Sequence, residues 1–201
     1  MFDHLSWSSS FVSRAATKEW DETFNCLAIS SSSLDNSIIN ALSFSPPQNC
    51  HFMFCDGAFG NNIEAAAIGG ALFDPSKKLI NGFGMKVAAS SPFCAEAFAL
   101  REACRLLQAN GISNAVIFSD CKSLVSIISA DLEPPWEIEV VIKDIKFLSS
   151  NLSLVWQFIP RRFNSIAHEL ASEALQGHLP SNWFVAPPVG LSRLFGSFPF
   201  F

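Results

Sequence analysis

Residues 51–60, HFMFCDGAFG, place an aspartate and a glycine directly behind a run of apolar, strand-forming residues. Asp56 shares one face of this predicted strand with Phe52 and Phe54, because side chains alternate along a strand with a period of two. One interpretation is that Asp56 opens a turn, since Asp-Gly is a common turn dipeptide. The other is a functional carboxylate, because a buried carboxylate needs a hydrogen bond, a charged partner or a metal ion.

The composition indicates a chain with a sizeable core and a weakly charged surface. The 201 residues are 49% hydrophobic and 15% charged, and the formal net charge is −5. That apolar content argues against global disorder. The adjacent basic pairs are Lys77/Lys78 and Arg161/Arg162, so any nucleic-acid binding must be local. No apolar run reaches the roughly 18 residues that a membrane span needs, and we expect no membrane association.

Six cysteines lie at positions 26, 50, 55, 94, 104 and 121, and none of them forms a CxxC pair. Several lie in apolar runs, where a free cysteine behaves as a small hydrophobe. We therefore expect reduced thiols and an intracellular protein, in the nucleus or the cytoplasm. Cys50, His51 and Cys55 have the side chains of a zinc site, but strand alternation would scatter them over two faces, which disfavours zinc.

Three regions of the chain differ in composition. Residues 1–48 are serine-rich and end in a Pro-Pro linker, which predicts a weakly structured leader. Residues 49–178 alternate between strand and helix patterns and form the predicted folded domain. Residues 179–201 are an apolar, aromatic tail whose only charge is Arg193.

The hydrophobic periodicity of residues 49–178 predicts the element order βββαβααβα. Three successive strands indicate an antiparallel meander, and glycines in the third strand are candidates for bulges. The helices between the later strands indicate parallel additions to the same sheet. The expected fold class is α/β, a five-stranded mixed sheet with helices on both faces.

Three carboxylates converge in this arrangement. Asp120 follows the fourth strand on the face of Val116 and Phe118, so both aspartates are expected at the carboxyl ends of strands, where open α/β sheets bind ligands. Glu96 keeps helical spacing with the apolar stripe of the first helix and therefore faces the sheet. Three such groups repel one another unless a cation holds them. Oxygen ligands suit Mg²⁺, and two ions about 3.5–4 Å apart suit phosphodiester hydrolysis.

Four motifs in this order resemble the type 1 ribonuclease H family, and specifically the plant ribonuclease H-like domain related to retroelement reverse transcriptases. They are CDGAF around Asp56, CAEAFALREA around Glu96, SDCKSLV around Asp120, and IPRRFNSIAHELA in the last predicted helix and the loop before it. The resemblance spans roughly residues 49–178. It implies a ribonuclease H-like fold.

The resemblance also implies a metal-dependent endonuclease that hydrolyses the RNA strand of RNA–DNA hybrids. Its cofactor would be Mg²⁺, or Mn²⁺, in a two-ion site, with no small-molecule cofactor. Asp56 would contact both ions, and Glu96 and Asp120 would complete the shell of the first. Gly57 and Ala58 would leave the backbone open to the hybrid, whose 2′-hydroxyls are contacted across a wide minor groove.

The last predicted helix departs from the family pattern. Active members carry an aspartate four residues after an asparagine, whereas here Asn164 is followed at that distance by His168. Histidine suits Mn²⁺ or Zn²⁺ better than Mg²⁺, and the alternative is that His168 only hydrogen-bonds a neighbour. We count His168 with the candidate catalytic residues, and Asn164, Arg161 and Arg162 with the nucleic-acid-binding residues.

Three functions remain open from the sequence, with a monomer expected. The first is a weak hybrid ribonuclease, and the second is a catalytically impaired, retroelement-derived module that only binds nucleic acid. The third is a protein-interaction domain that uses the aromatic tail. A 3′–5′ exonuclease of the same fold is disfavoured, because those enzymes place a glutamate two residues after the first aspartate, where this chain has Ala58.

Overall fold

The computed structural model describes Pro47, residues 49–60 and residues 65–180. The predicted leader over residues 1–48 and the predicted aromatic tail over residues 179–201 lie almost wholly outside these described residues. Among the described residues, no helix is both long enough and apolar enough to cross a membrane.

Five strands and four helices make up the described part of the chain. In order they are β1 His51–Phe59, β2 Ala66–Phe73, β3 Leu79–Val87, α1 Pro92–Ala109, β4 Asn114–Ser119, α2 Lys122–Ser129, α3 Glu139–Ser149, β5 Ser153–Phe158 and α4 Ser165–Gln176. A single 3₁₀ turn, Arg161–Phe163, precedes α4. This order confirms the predicted βββαβααβα arrangement.

The strands form one mixed sheet in the order β3-β2-β1-β4-β5. β1, β2 and β3 are antiparallel neighbours, whereas β4 is parallel to both β1 and β5. The predicted mixed five-stranded sheet is therefore confirmed. The irregularity in β3 lies at Ile80, between the pairs Leu72–Asn81 and Phe73–Leu79. The expectation that the glycines of β3 mark a bulge is wrong, because they keep regular partners on β2.

The side chains of β1 alternate between two cores. On one face Met53 and Cys55 pack in a cluster with α1, α2 and α3. On the other face Phe52 and Phe54 pack in a cluster with α4. Helices therefore cover both faces, as predicted, and the central strands are buried on both sides, which explains their nearly continuous apolar sequences. Asp56 interrupts this pattern as a carboxylate with 0% exposure.

Local signals fix where the two central helices begin and end. Ser91 caps α1, since its Oγ accepts a hydrogen bond from the backbone N–H of Cys94 at 3.1 Å, and a proline stands at the start of the helix. Gly111 and Gly177, with φ of 67° and 76°, adopt the left-handed conformation just after α1 and α4. The start of α1 places Glu96 in its second turn.

Two glycines let these helices approach the centre of the sheet. A Cβ at Gly57 would lie 2.6 Å from the backbone of α1. A Cβ at Gly69, the partner of Asp56 on β2, would lie 2.3 Å from the backbone nitrogen of Ala171 in α4. Both positions therefore need glycine. Because the two glycines face opposite sides of the sheet, α1 and α4 come close to Asp56 from opposite faces.

Gly69→Ala is expected to lower the free energy of unfolding by about 2 kcal/mol or more, because the added methyl group overpacks against the backbone of α4. Urea unfolding measures the loss.

Gly84→Ala is the matched control, since Gly84 is the β3 partner of Gly69. A Cβ there would meet the end of the Leu179 side chain, which can turn away. Equal losses in the two variants would show that close approach of α4 at Gly69 is not required.

Candidate metal centre

Asp56 lies inside β1 and does not open a turn. The strand runs on to Phe59, and Asp56 pairs with Gly69 of β2. The turn interpretation is therefore wrong, and so is the expectation that Asp56 ends its strand. On the other side, β1 pairs with β4 only as far as Phe54. One edge of β1 is consequently left without a strand partner beside the aspartate.

The three predicted carboxylates lie close together. Asp56, Glu96 and Asp120 each offer one oxygen, and these oxygens are within 4.8 Å of one another. They come from β1, from the second turn of α1 and from the residue after β4. Within the described ranges this is the one cluster of at least three potential ligands that could hold a metal ion. The zinc-capable residues at the start of β1 form no such cluster.

Burial and mutual repulsion oppose ionisation of this cluster. Burial first, and then the charges of Asp56 and Asp120, raise the pKa of Glu96 to about 10, although the backbone N–H of Gly57 partly opposes the rise. Burial and then the charge of Asp56 also raise the pKa of Asp120, against hydrogen bonding by Asn164. The Oδ1 atom of Asp56 is buried without a hydrogen-bond partner. A divalent cation fits this site, because it would give Oδ1 a partner and relieve the repulsion.

Asn164 links Asp120 to the backbone of β1 through hydrogen bonds from its side-chain amide. It is fully buried, and its Nδ2 donates hydrogen bonds to the Cys55 carbonyl at 3.0 Å and to Asp120 Oδ1 at 3.3 Å. The carbonyl needs this donor because β1 has left the β4 ladder at that point. The amide of Asn164 therefore positions Asp120, and the expected nucleic-acid contact from Asn164 stays a prediction.

His168 lies one helical turn after Asn164, at the rim of the cluster. Its Nδ1 is 2.8 Å from Asp56 Oδ2, and the Nη2 atom of Arg161 lies 3.1 Å from Nε2 and 3.2 Å from Nδ1. A guanidinium can only donate and a carboxylate can only accept. We assign the ring proton that faces Asp56 to Nδ1, which donates to Oδ2, and the Arg161 guanidinium lies against the ring, nearly equidistant from its two nitrogens.

The remaining predicted nucleic-acid contacts have different surroundings. Arg162 is exposed, and its guanidinium lies 4.7 Å from the centre of the Phe163 ring. Ala58 is buried at 9% exposure. The space beside Gly57 is filled by α1, so the missing side chain serves helix packing, and the expected contact of its backbone with the hybrid stays a prediction.

Two features of the site are absent from the sequence prediction. Gly69 was not singled out, although the Gly-Gly pair of β2 is a recognisable signal for close backbone approach. The contact of Arg161 with His168 has no such signal, because it depends on how the 3₁₀ turn before α4 folds back on the helix.

The fold and the carboxylate cluster together define a ribonuclease H-like domain. The family model described as reverse transcriptase-like matches residues 54–174, and this chain belongs to that family. Comparison with curated proteins returns no match. The plant relationship stays a prediction from the sequence.

Solved structures share the fold across most of their own length. RNase H1 from the halophilic archaeon Halobacterium salinarum NRC-1 has a TM-score of 0.60 and 20% identity, covering 63% of this chain and 98% of that one. LC11-RNase H1, in complex with an RNA/DNA hybrid, has a TM-score of 0.58 and 22% identity, covering 65% and 99%. Foamy viral protease-reverse transcriptase, in complex with dsDNA, has a TM-score of 0.53 and 16% identity, covering 65% and 96%. At these identities the likeness shows the fold alone.

Glu96→Gln is expected to flatten the pH dependence of stability in metal-free protein. Because burial and the neighbouring aspartates raise the pKa of Glu96 from its ordinary value of 4.5 to about 10, the folded state binds a proton that the unfolded state has lost. The free energy of unfolding should therefore fall as the pH rises between those values. Urea unfolding in the presence of a chelator, from about pH 5 to about pH 9, measures how the free energy of unfolding changes with pH.

Glu102→Gln is the control, because Glu102 is in the same helix and pairs with Arg105 at 3.5 Å. It should keep the wild-type slope. A wild-type slope in the Glu96→Gln protein would show that the Glu96 carboxylate is not destabilised by folding.

Mg²⁺ and Mn²⁺ are expected to raise the melting temperature, because the folded protein gathers the three carboxylates and the unfolded chain does not. Asp120→Asn should shift less, since it loses one ligand. Asp144→Asn, which alters a partly exposed carboxylate 3.4 Å from Arg101, should respond as the wild type does. Equal shifts in wild type and Asp120→Asn would mean that the ions bind elsewhere.

Proposed function

We propose that this protein is a metal-dependent endonuclease of weak activity that hydrolyses the RNA strand of RNA–DNA hybrids. The observation that carries the proposal is the cluster of three carboxylates within 4.8 Å in a ribonuclease H-like domain. An all-oxygen ligand set suits Mg²⁺ or Mn²⁺. The raised pKa of Glu96 supports a cation at this position, because the ionised cluster is costly without one.

A bound divalent cation would supply charge stabilisation at the scissile phosphate and activation of the attacking water. Asp56, Glu96 and Asp120 would hold it through carboxylate oxygens. Asn164 fixes Asp120 through its amide. His168 fixes Asp56 through Oδ2, which leaves the buried Oδ1 as the ligand atom. These contacts pre-organise the ligands, so little reorganisation accompanies cation binding.

The choice of substrate has two supports. The edge of β1 beside Asp56 lacks a strand partner, and Arg161 and Arg162 are exposed nearby on the turn before α4. A ribonuclease H1 of the same fold has been solved in complex with an RNA/DNA hybrid. The net charge of −5 means that hybrid binding would depend on this local basic pair.

A nucleic-acid-binding module without turnover is the second candidate. The observation that favours it is the bond from His168 to Asp56 at 2.8 Å. Where active family members carry a fourth carboxylate, this chain offers a hydrogen-bond donor, which weakens the site for cations. Binding of the hybrid without cleavage would separate this candidate from the enzyme.

Cleavage of a labelled RNA–DNA hybrid in Mg²⁺ and in Mn²⁺ tests the proposal. We expect slow cleavage of the RNA strand, and a loss of about 1,000-fold or more in Asp56→Asn, because removing a ligand costs several kcal/mol of transition-state stabilisation. Asp144→Asn should cleave as the wild type does.

Single-stranded RNA and duplex DNA of the same sequence serve as substrate controls and should remain intact. If the wild type binds the hybrid but cleaves it in neither metal, the enzyme proposal fails and the binding module stands.

A further inference from the structure

We propose that the carboxylate cluster holds one divalent cation, and that Arg161 and His168 together take the place of the second ion of a two-ion site. The inference rests on the proposed function, because it concerns the same carboxylates. It replaces the two-ion expectation drawn from the sequence. Its test counts bound ions and does not require turnover.

The first argument concerns the two oxygens of Asp56. Oδ2 accepts a hydrogen bond from His168 at 2.8 Å, whereas Oδ1 is buried and has no partner. In a two-ion site the shared carboxylate serves both ions. Here only Oδ1 is left for cations, so Asp56 is arranged to serve one.

The second argument concerns the ligands that a second ion would need. His168 stands where a further ligand would come from α4, but its Nδ1 is committed to Asp56 and its Nε2 lies 3.1 Å from Arg161 Nη2. A cation at Nε2 would lie beside the positive charge of Arg161, which opposes metal binding there. The cluster found among the described residues contains only Asp56, Glu96 and Asp120, which suffices for one ion completed by water.

The third argument is charge balance. When they bind a cation, the three ionised carboxylates carry three negative charges, and the guanidinium of Arg161 adds one positive charge at the same rim. The remaining charge of about two units is matched by one divalent cation, and a second would be repelled by the arginine. Arg162 carries the same charge but lies over the Phe163 ring, which makes it the matched control.

Electron paramagnetic resonance of Mn²⁺ counts the ions and detects whether they are close. The protein is saturated with a hybrid whose RNA strand is 2′-O-methylated throughout, so that substrate-dependent ions are included and cleavage is blocked. We expect wild-type protein to bind one Mn²⁺ with an uncoupled spectrum. His168→Asp should bind two, with the spin coupling expected of ions about 4 Å apart. A coupled pair in the wild type, or a single ion in both proteins, would overturn the proposal.

Arg161→Ala provides a second readout that places no new carboxylate in the site. Removing the positive charge should tighten Mn²⁺ binding severalfold in titrations of the free protein, whereas Arg162→Ala should leave it unchanged. Melting curves confirm that each variant is folded. Equal Mn²⁺ affinities in wild type and Arg161→Ala would show that Arg161 does not oppose cation binding, which contradicts its proposed role.

The two proposals fail in different ways. A wild type that binds one Mn²⁺ without cleaving unmodified hybrid would disprove the nuclease function and keep the one-ion site. A wild type that cleaves hybrid and shows a coupled pair would keep the nuclease function and disprove the one-ion site.

Discussion

The buried carboxylate of Asp56 is the constraint on which the rest of the site depends. A fully buried charge in the middle of a sheet is costly unless each oxygen has a partner. His168 is the partner of one oxygen, and the other is buried without a hydrogen-bond partner, which is where the proposed cation would bind. Glu96 on α1 and His168 on α4 come close to Asp56 because Gly57 and Gly69 allow the two helices to pack against the sheet backbone on opposite faces. The packing of the fold and the chemistry of the site therefore have one origin.

The carboxylate cluster costs stability in the absence of a cation, and the core offsets that cost. Burial and like charge raise the pKa of Glu96 and of Asp120, so ionising them in the folded state is unfavourable. The apolar clusters on the two sheet faces supply the stabilisation that permits this. Asn164 uses its amide to tie Asp120 to β1, which keeps the repelling groups in place. Cation binding and folding stability are thus linked through the same side chains.

The sequence predicts what depends on local pattern and fails where distant elements decide. Period-two alternation correctly separated the faces of β1, and helical spacing correctly turned Glu96 toward the sheet. The position of Asp56 within β1 was missed, because β1 continues to Phe59 through its pairing with β2, and no local pattern shows that pairing. The burial of Asn164 and the contact between Arg161 and His168 were missed for the same reason, since both require the docked position of α4.

His168 stands where active family members carry an aspartate. This difference removes one carboxylate ligand and also changes the group that Arg161 contacts. Beside an aspartate, the positive charge of Arg161 would be balanced by a fourth carboxylate. Beside histidine its guanidinium lies against the ring, and its positive charge stays at the rim without a carboxylate from α4 to balance it. That charge is directed inward, so Arg161 contributes less to phosphate binding than its exposure suggests. With a net charge of −5 and one arginine committed to the site, weak attraction for nucleic acid would limit turnover together with the chemistry.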